Sequence, residues 1–304
     1  MYNKILRIGT RDSQLALWQA HKVIELLKTT SIKTQLIPTK SAGDLNLTQP
    51  IYTMGIQGVF TKALDVALIE NRIDIAVHSL KDVPTQLPKG LVLASVLNRG
   101  SAADVLVQNH KTDFEKVSTI ATGSLRRKAQ WLHRYPHHRL VNLRGNVQTR
   151  MDKLFSSNWD GAIFARAGLE RAELLGSHFH ELDWMIPAPA QGAIGVICRT
   201  TDTTIIEALQ KINHQSTRIC VEIERDFLRI LEGGCSAPIG AYAFVHQDKI
   251  KFKGGIFSLD GQTAATTFEE VEITEGKNLA AMAAEKILPK GGDQIMQIIK
   301  NGKE

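Results

Sequence analysis

Arginines that follow strand-like runs are the residues with most chemical potential in this 304-residue sequence. Arg11, the pair Arg126 and Arg127, and Arg144 each stand where a strand-like run gives way to a helical one, and Arg150 follows about one helical turn after Arg144. The planar guanidinium presents paired N–H donors that match a carboxylate or a phosphate. In an open α/β sheet such turns line the crevice beyond the carboxyl ends of the strands. Helix N-termini there add N–H groups and a partial positive charge. Ser13, Thr122 and Ser124 sit beside the same turns as neutral donors. This pattern points to an anionic ligand.

One carboxylate stands out against these cations. Asp82, beside Lys81 in HSLKDVP (78–84), ends another strand-like run. An Asp before Val-Pro is commonly a turn former. In a cationic cleft it would instead stabilise a cationic intermediate or move a proton. His78 reads as a core or boundary histidine rather than a base. Of the three cysteines, Cys198 lies in the apolar run AIGVIC, and Cys220 shares a helical stripe with Ile223, Phe227 and Leu231. Only Cys235, in LEGGCSAPIG (231–240), has no apolar periodicity to account for it. The odd count without a C-x-x-C pair argues against a disulfide framework and against zinc, and no metal is expected.

The elements that must position these groups alternate. ILRIG (5–9) reads as a strand, TRDS as a turn and N-cap, and QLALWQAHKVIELLK as an amphipathic helix. TQLIPTK is a strand, 59–72 a helix, and IDIAVHSL (73–80) a strand. After LASVLNRG (93–100) the pattern restarts: TIAT, LVNL and DGAIFA each lead through a short turn into a helix. QGAIGVICR (191–199) is strand-like and returns the chain to the first unit. The last ninety or so residues read as a helix ending at Gly233-Gly234, three period-two strands with a turn at Asp260-Gly261, and a final helix over NLAAMAAEKIL. The alternation predicts two α/β domains with helix-covered sheets, then a smaller α+β domain.

Composition narrows the function classes. No acidic residue occurs between Glu115 and Asp152, where eight basic ones stand, within a chain of net charge +6. Neither phosphate-binding glycine motif is present. Aromatics are only 6% of the chain and do not interleave with the basic run, so nucleic acid is not expected as a partner. No apolar run has the length of a membrane span, and the N-terminus lacks a signal-peptide core. The expected setting is cytoplasmic, without membrane association.

In order along the chain, TRDSQLALWQA, HSLKDVP, the GSLRR turn, LRGNVQTR, QGAIG and LEGGCSAPIGAYA closely resemble the hydroxymethylbilane synthase family, also called porphobilinogen deaminase. The resemblance runs essentially end to end. It implies two periplasmic-binding-protein-like α/β domains flanking a cleft plus a smaller α+β domain, with units at 1–97 plus about 191–213, 98–190 and 214–304. It implies a transferase that condenses four porphobilinogen molecules head to tail on a dipyrromethane cofactor, releases ammonia at each step, and hydrolyses off the linear tetrapyrrole. The cofactor would be held through a thioether to Cys235. Ser79, Lys81, Asp82, Thr122, Ser124, Arg126, Arg127, Arg144 and Arg150 would bind it. Arg11, Ser13, Gln19, Phe60, Arg144, Arg150, Arg171 and Gln191 would meet the substrate and the growing oligopyrrole. Asp82 would be the catalytic carboxylate, and the working unit a monomer. Gln57 and Ala63 depart from residues common in the family, and RGSAADV replaces its more charged stretch while retaining Asp104. The competing reading is a non-catalytic two-domain binding protein for a carboxylated small molecule, which needs neither Asp82 nor Cys235.

Overall fold

The computed structural model describes residues 5–30, 32–40, 61–109, 113–177, 179–231 and 237–301. Cys235, Phe60 and Gln57 lie outside the described residues.

Among the described residues, three sheets organise the chain. The first has strand order β2-β1-β3-β10-β4, formed by β1 (Leu6–Arg11), β2 (Thr34–Thr39), β3 (Ile75–Ser79), β4 (Leu91–Val96) and β10 (Ile194–Arg199). β1 runs parallel to β2 and β3, whereas β10 is antiparallel to both β3 and β4. The 191–199 segment therefore does return to the first sheet. β3 and β10 are nearly continuous buried runs, as strands covered on both faces must be. Helix α1 (Gln14–Leu27) covers one face, seating Ala16, Ala20, Val23 and Leu27 inward at helical spacing. Helix α2 (Lys62–Ile69) seats Leu64, Ala67 and Leu68. It is shorter than the 59–72 reading, because Asn71 turns into the left-handed region at φ 56° and ends it.

The second sheet has order β7-β6-β8-β5-β9, from β5 (Asp104–Gln108), β6 (Thr119–Ala121), β7 (Arg139–Val141), β8 (Gly161–Ala165) and β9 (Phe179–Glu181). Helices α3 (Leu125–Arg134), α4 (Val147–Phe155) and α5 (Arg166–Arg171) follow β6, β7 and β8. Helix α5 starts earlier than the expected LERAELL stretch (169–175) and ends within it, where Glu173 takes φ 57°. Short strands β5 and β9 were not foreseen; β5 is antiparallel to β8, so the sheet is mixed. Leu106, Ile120, Trp131, Ile163 and Met185 pack one face, and Val105, Leu143, Leu154 and Phe164 the other. Each such side chain taken from water contributes roughly 1.5–3 kcal/mol.

Helices α6 (Thr203–Gln210) and α7 (Gln215–Ile230) lead to the antiparallel meander β11 (Ile239–His246), β12 (Lys249–Phe257) and β13 (Ala264–Glu272). Helix α7, α8 (Leu279–Ile287) and a further helix α9 (Gly292–Asn301) share its core around Phe227, Phe252 and Ile256. Cys220 is buried in that core and Cys198 in the first sheet's. The two connections between the first and second sheets meet at Glu224 of α7. Its fully buried carboxylate pairs with Arg99 at 2.5 Å and accepts from the backbone N–H groups of Ala190 (2.6 Å) and Ala243 (2.7 Å). A single ion thus ties both connections to the third sheet.

Candidate active site

The strand-end turns deliver the expected residues from two sides. From the first sheet come Arg11 at the end of β1 with Ser13 following, and Ser79 at the end of β3 with Lys81 and Asp82 following, where Leu80–Asp82 form a short 3-10 turn. From the second come Thr122, Ser124, Arg126 and Arg127 after β6, and Arg144 and Arg150 after β7. Ser13 and Ser124 cap α1 and α3, each hydroxyl oxygen accepting a backbone N–H at 3.4 Å. Thr122 Oγ1 accepts from the Ser124 N–H. These hydroxyls keep their own protons to donate to a ligand.

One glycine lets two turns of the second sheet meet, and a second shapes the turn after β7. A Cβ on Gly123 would stand 2.4 Å from the Leu143 carbonyl oxygen, so the turns after β6 and β7 touch only because that side chain is absent. Gly145 takes φ +118°, and its carbonyl accepts from Arg150 Nε at 2.7 Å, which aims the guanidinium.

Charge then decides the character of the place. Asp104, fully buried at the start of β5, pairs with Arg126 at 2.7 Å and Arg127 at 2.8 Å. Burial alone would raise its pKa, but the two guanidiniums reverse that and lower it to about 2. Arg126 and Gln130 both donate to the Ile186 carbonyl, and Arg127 donates to that of Ile163. Lys81 lies within electrostatic reach of Asp82, Arg127, Asp104 and Arg126, and burial lowers its pKa to about 8. Burial lowers Arg150 to about 10, and the nearby Arg127, Arg144 and Arg11 push the same way against Asp82. Burial also depresses Arg144 and Arg127. Cations from both sheets therefore repel one another around the Asp82 and Asp104 carboxylates. His78 is buried beside Arg11, and its pKa falls to about 4, so it is neutral at neutral pH and unsuited to act as a base there.

Three expected ligands are engaged by the protein itself. Gln19 is buried and donates to Ser79 Oγ at 2.8 Å, orienting that hydroxyl. Gln191 is buried and donates to Asp104 and to the Ala102 carbonyl. Arg171 donates to the Gly192 carbonyl and lies over the Trp18 ring, bridging α5 to α1. Ala63 is half-buried on α2. Two partners were missed from sequence. The sequence marks Asp104 only as a retained residue, whereas it anchors Arg126 and Arg127. Arg225 on α7, whose guanidinium holds the Asp82 turn, has no mark in the sequence, since an arginine on a helix carries no signal of its own.

A groove of about 880 Å³ lies elsewhere, between α3 and the β12–β13 face, beside Arg134, Trp184, Lys253 and Phe268, and none of the cations gathered around Asp82 lines it. The Glu269 carboxylate in it pairs with Lys286 at 2.6 Å.

Residues 6–207 match a family profile described as the porphobilinogen deaminase, dipyromethane cofactor binding domain, and residues 218–289 match the porphobilinogen deaminase C-terminal domain. The chain is 39% identical to a porphobilinogen deaminase of Desulforamulus reducens, over 98% of each chain. It is 41% identical to a chloroplastic porphobilinogen deaminase of Oryza sativa subsp. japonica, over 86% of this chain and 77% of that protein. Among solved structures, an ancestral cationic amino acid solute binding protein aligns with 68% of this chain and 88% of its own, at TM-score 0.43 and 13% identity.

Proposed function

The chain belongs to the porphobilinogen deaminase family, and from that premise we propose how its cleft performs the family's reaction. Its activity is that of a hydroxymethylbilane synthase, a transferase that joins four porphobilinogen molecules into a linear tetrapyrrole. Its cofactor is dipyrromethane. The observation that carries the residue assignment is the convergence of Lys81, Arg126, Arg127 and Arg150 on the Asp82 and Asp104 carboxylates, with Arg11 and Arg144 beside Arg150.

The residues fit a dipyrromethane. Its acetate and propionate groups are anions, and the cleft cations repel one another until anions arrive. Arg126 Nε is a buried donor with no hydrogen-bond partner among the described residues, a place where a ligand carboxylate is welcome. In this reading Lys81, Arg126, Arg127, Arg144 and Arg150, with the hydroxyls of Ser79, Thr122 and Ser124, hold the cofactor, and Cys235 anchors it. When bound, the dipyrromethane supplies the nucleophilic terminal pyrrole on which the chain grows.

The chain's own groups do the rest. Arg11, Ser13, Arg144 and Arg150 orient the carboxylates of incoming porphobilinogen, with Phe60 assigned to stack on its ring. Gln19 positions Ser79; Gln191 and Asp104 hold Arg126 and Arg127 in place. Arg171 contributes from the Trp18 side. Loss of ammonia leaves positive charge shared with the pyrrole nitrogen, and Asp82 is the carboxylate placed to stabilise it and to take up the proton released on coupling. Neutral His78 is not asked to act. The three units divide at 1–97 with 191–213, 98–190 and 214–304, and one cytoplasmic chain is the working enzyme.

Intact mass of the purified protein beside Cys235→Ser tests the reading. A two-pyrrole adduct on the parent alone, with porphobilinogen consumed by it, is expected. A bare mass for both that stays bare after porphobilinogen is added moves the assignment to a carboxylate-binding protein.

A further inference from the structure

Beyond the Leu80 N–H donating to the Ala193 carbonyl at 3.0 Å, the Asp82 turn has few backbone bonds among the described residues. Leu80–Asp82 make one 3-10 turn, closed by the Val83 N–H donating to Leu80 at 3.2 Å, and Pro84 follows without an N–H to give. Yet a carboxylate that stabilises charge must be held to a fraction of an ångström. The holding group comes from elsewhere in the chain. Arg225 of α7 donates to the carbonyls of Val83 (2.9 Å), Pro84 (2.7 Å) and, more weakly, Leu80 (3.4 Å). These three carbonyls bracket Asp82 on both sides.

Other contacts of α7 fix where that guanidinium stands. Arg218 donates to the carbonyls of Leu93 and Ala94 on β4, and Val221 packs in the cluster that contains Leu80 and Val83. Residues 218, 221 and 225 repeat at helical spacing and so share one face of α7, which faces the first sheet. The adjacent Glu224 is locked by Arg99, Ala190 and Ala243. Helix α7 therefore has one register against the first sheet, and Arg225 has one place to reach.

We propose that Arg225 is a positioning residue for Asp82: its guanidinium fixes the backbone of the turn so that the carboxylate meets the developing positive charge. This rests on the reading of Asp82 as the catalytic carboxylate. Lysine cannot replace it, since an ammonium has neither the planar fork nor the span to serve carbonyls on both sides of Asp82.

The test compares Arg225→Met, Asp82→Asn and the double variant as cofactor-loaded enzymes, with loading read by intact mass and folding by thermal unfolding. Arg225→Met is expected to lower kcat about ten- to hundredfold with KM little changed, as a misplacement of about an ångström does. In the Asp82→Asn background the same change should cost less than about twofold, because it acts through the lost carboxylate. A purely structural role would lower the melting temperature and reduce activity by the same factor in both backgrounds, and that result overturns the proposal. Should Arg225→Met fail to fold or load, Arg225→Lys takes its place, with a smaller kcat loss expected that again vanishes beside Asp82→Asn; wild-type kcat in Arg225→Lys overturns it. Full turnover by Asp82→Asn alone is a different failure, that of the catalytic assignment.

Discussion

Two arginine clusters in this molecule use the same side chain to opposite ends. On the far side of the first sheet, Arg7, Asp74, Arg199 and Asp202 alternate in sign, with contacts of 2.8 Å, 3.3 Å and 2.8 Å along the series. There the cations serve the carboxylate: burial would raise Asp74, but Arg7 and Arg199 bring its pKa below the ordinary value. At the cleft the balance tips. The bases are the perturbed groups, with Lys81 down to about 8 and Arg150 to about 10. Both clusters hold arginines of limited exposure; what distinguishes them is whether carboxylates from the chain answer the charge. Although Arg126 and Arg127 also lower Asp104 there, the depressed cations are what the proposed reading, with carboxylates arriving from outside, calls for.

The largest separation between the two regions is expected at their carboxylates. Asp82→Asn should lower kcat by about 10²–10⁴-fold, the range of a lost acid–base or charge-stabilising group, while the cofactor adduct and the melting temperature survive. Asp74→Asn should do the reverse, costing about 1.5–3 kcal/mol of stability for a charged hydrogen-bonding partner with turnover per folded molecule unchanged. The Asp74 contribution has a definite pH sense. Its folded pKa is lowered, so the stabilisation is present above the unfolded value and is lost as pH falls through the folded one. Denaturant melts and steady-state rates of the two variants decide the matter. Equal loss of turnover in both would erase the distinction.

The arginines give a smaller but sharper contrast. Arg199 donates to Leu68 and Ile73 as well as pairing with Asp74 and Asp202, so Arg199→Leu should destabilise by about 1–3 kcal/mol and leave KM alone. Arg150→Leu removes one of several mutually repelling cations. It should keep or raise the melting temperature, yet weaken cofactor loading or raise the KM for porphobilinogen about tenfold or more. A melting temperature that falls as far in Arg150→Leu as in Arg199→Leu would mean that the cleft charges are as well matched as the others.

How much of this was legible in the sequence follows from the range of each interaction. Strand-to-helix turns announce themselves locally: Ser13, Ser124 and the Arg144-Gly145-Asn146 turn are caps or tight turns within a few residues of the helices they open. Hence the cation-bearing turns, the two α/β units and the small α+β unit could be read from the chain. Contacts across the fold could not. Asp104 lies 23 residues from Arg127, and Arg225 lies 142 from Val83; no periodicity records such pairs. The strands β5 and β9 were missed because neither leads through a turn into a helix, as β6 and β8 do. Helix α9 was missed because Leu288-Pro289-Lys290 and two glycines read as an ending, although Gly291 at φ +100° only redirects the chain. The assignment of Cys235 stays with the sequence, since it lies outside the described residues.

The smallest expected effect bears most directly on the idea of a cleft awaiting anions, and it concerns Lys81. Its pKa falls from 10.5 to about 8 on folding, through burial and then the neighbouring guanidiniums working against Asp82 and Asp104. For a base lowered by folding, the cost of holding the charge is present below pH 8 and is relieved as pH rises through the folded value toward the unfolded one. Before cofactor is loaded, then, the protein should gain stability from this group between about pH 8 and 10.5. Affinity for a carboxylate runs the other way, because the same titration removes a cation that would hold it. KM for porphobilinogen, or the concentration needed for loading, should rise above pH 8 by no more than about tenfold, one charged contact among several. Lys81→Arg should move that limb well above pH 8, because a guanidinium in the same surroundings holds its proton more tightly than an ammonium. Opposite slopes of stability and affinity against pH are the signature of a base buried for a ligand's benefit. A KM that stays flat through pH 8 to 10 while Lys81→Arg changes nothing would place this ammonium among the ordinary structural cations of the first sheet.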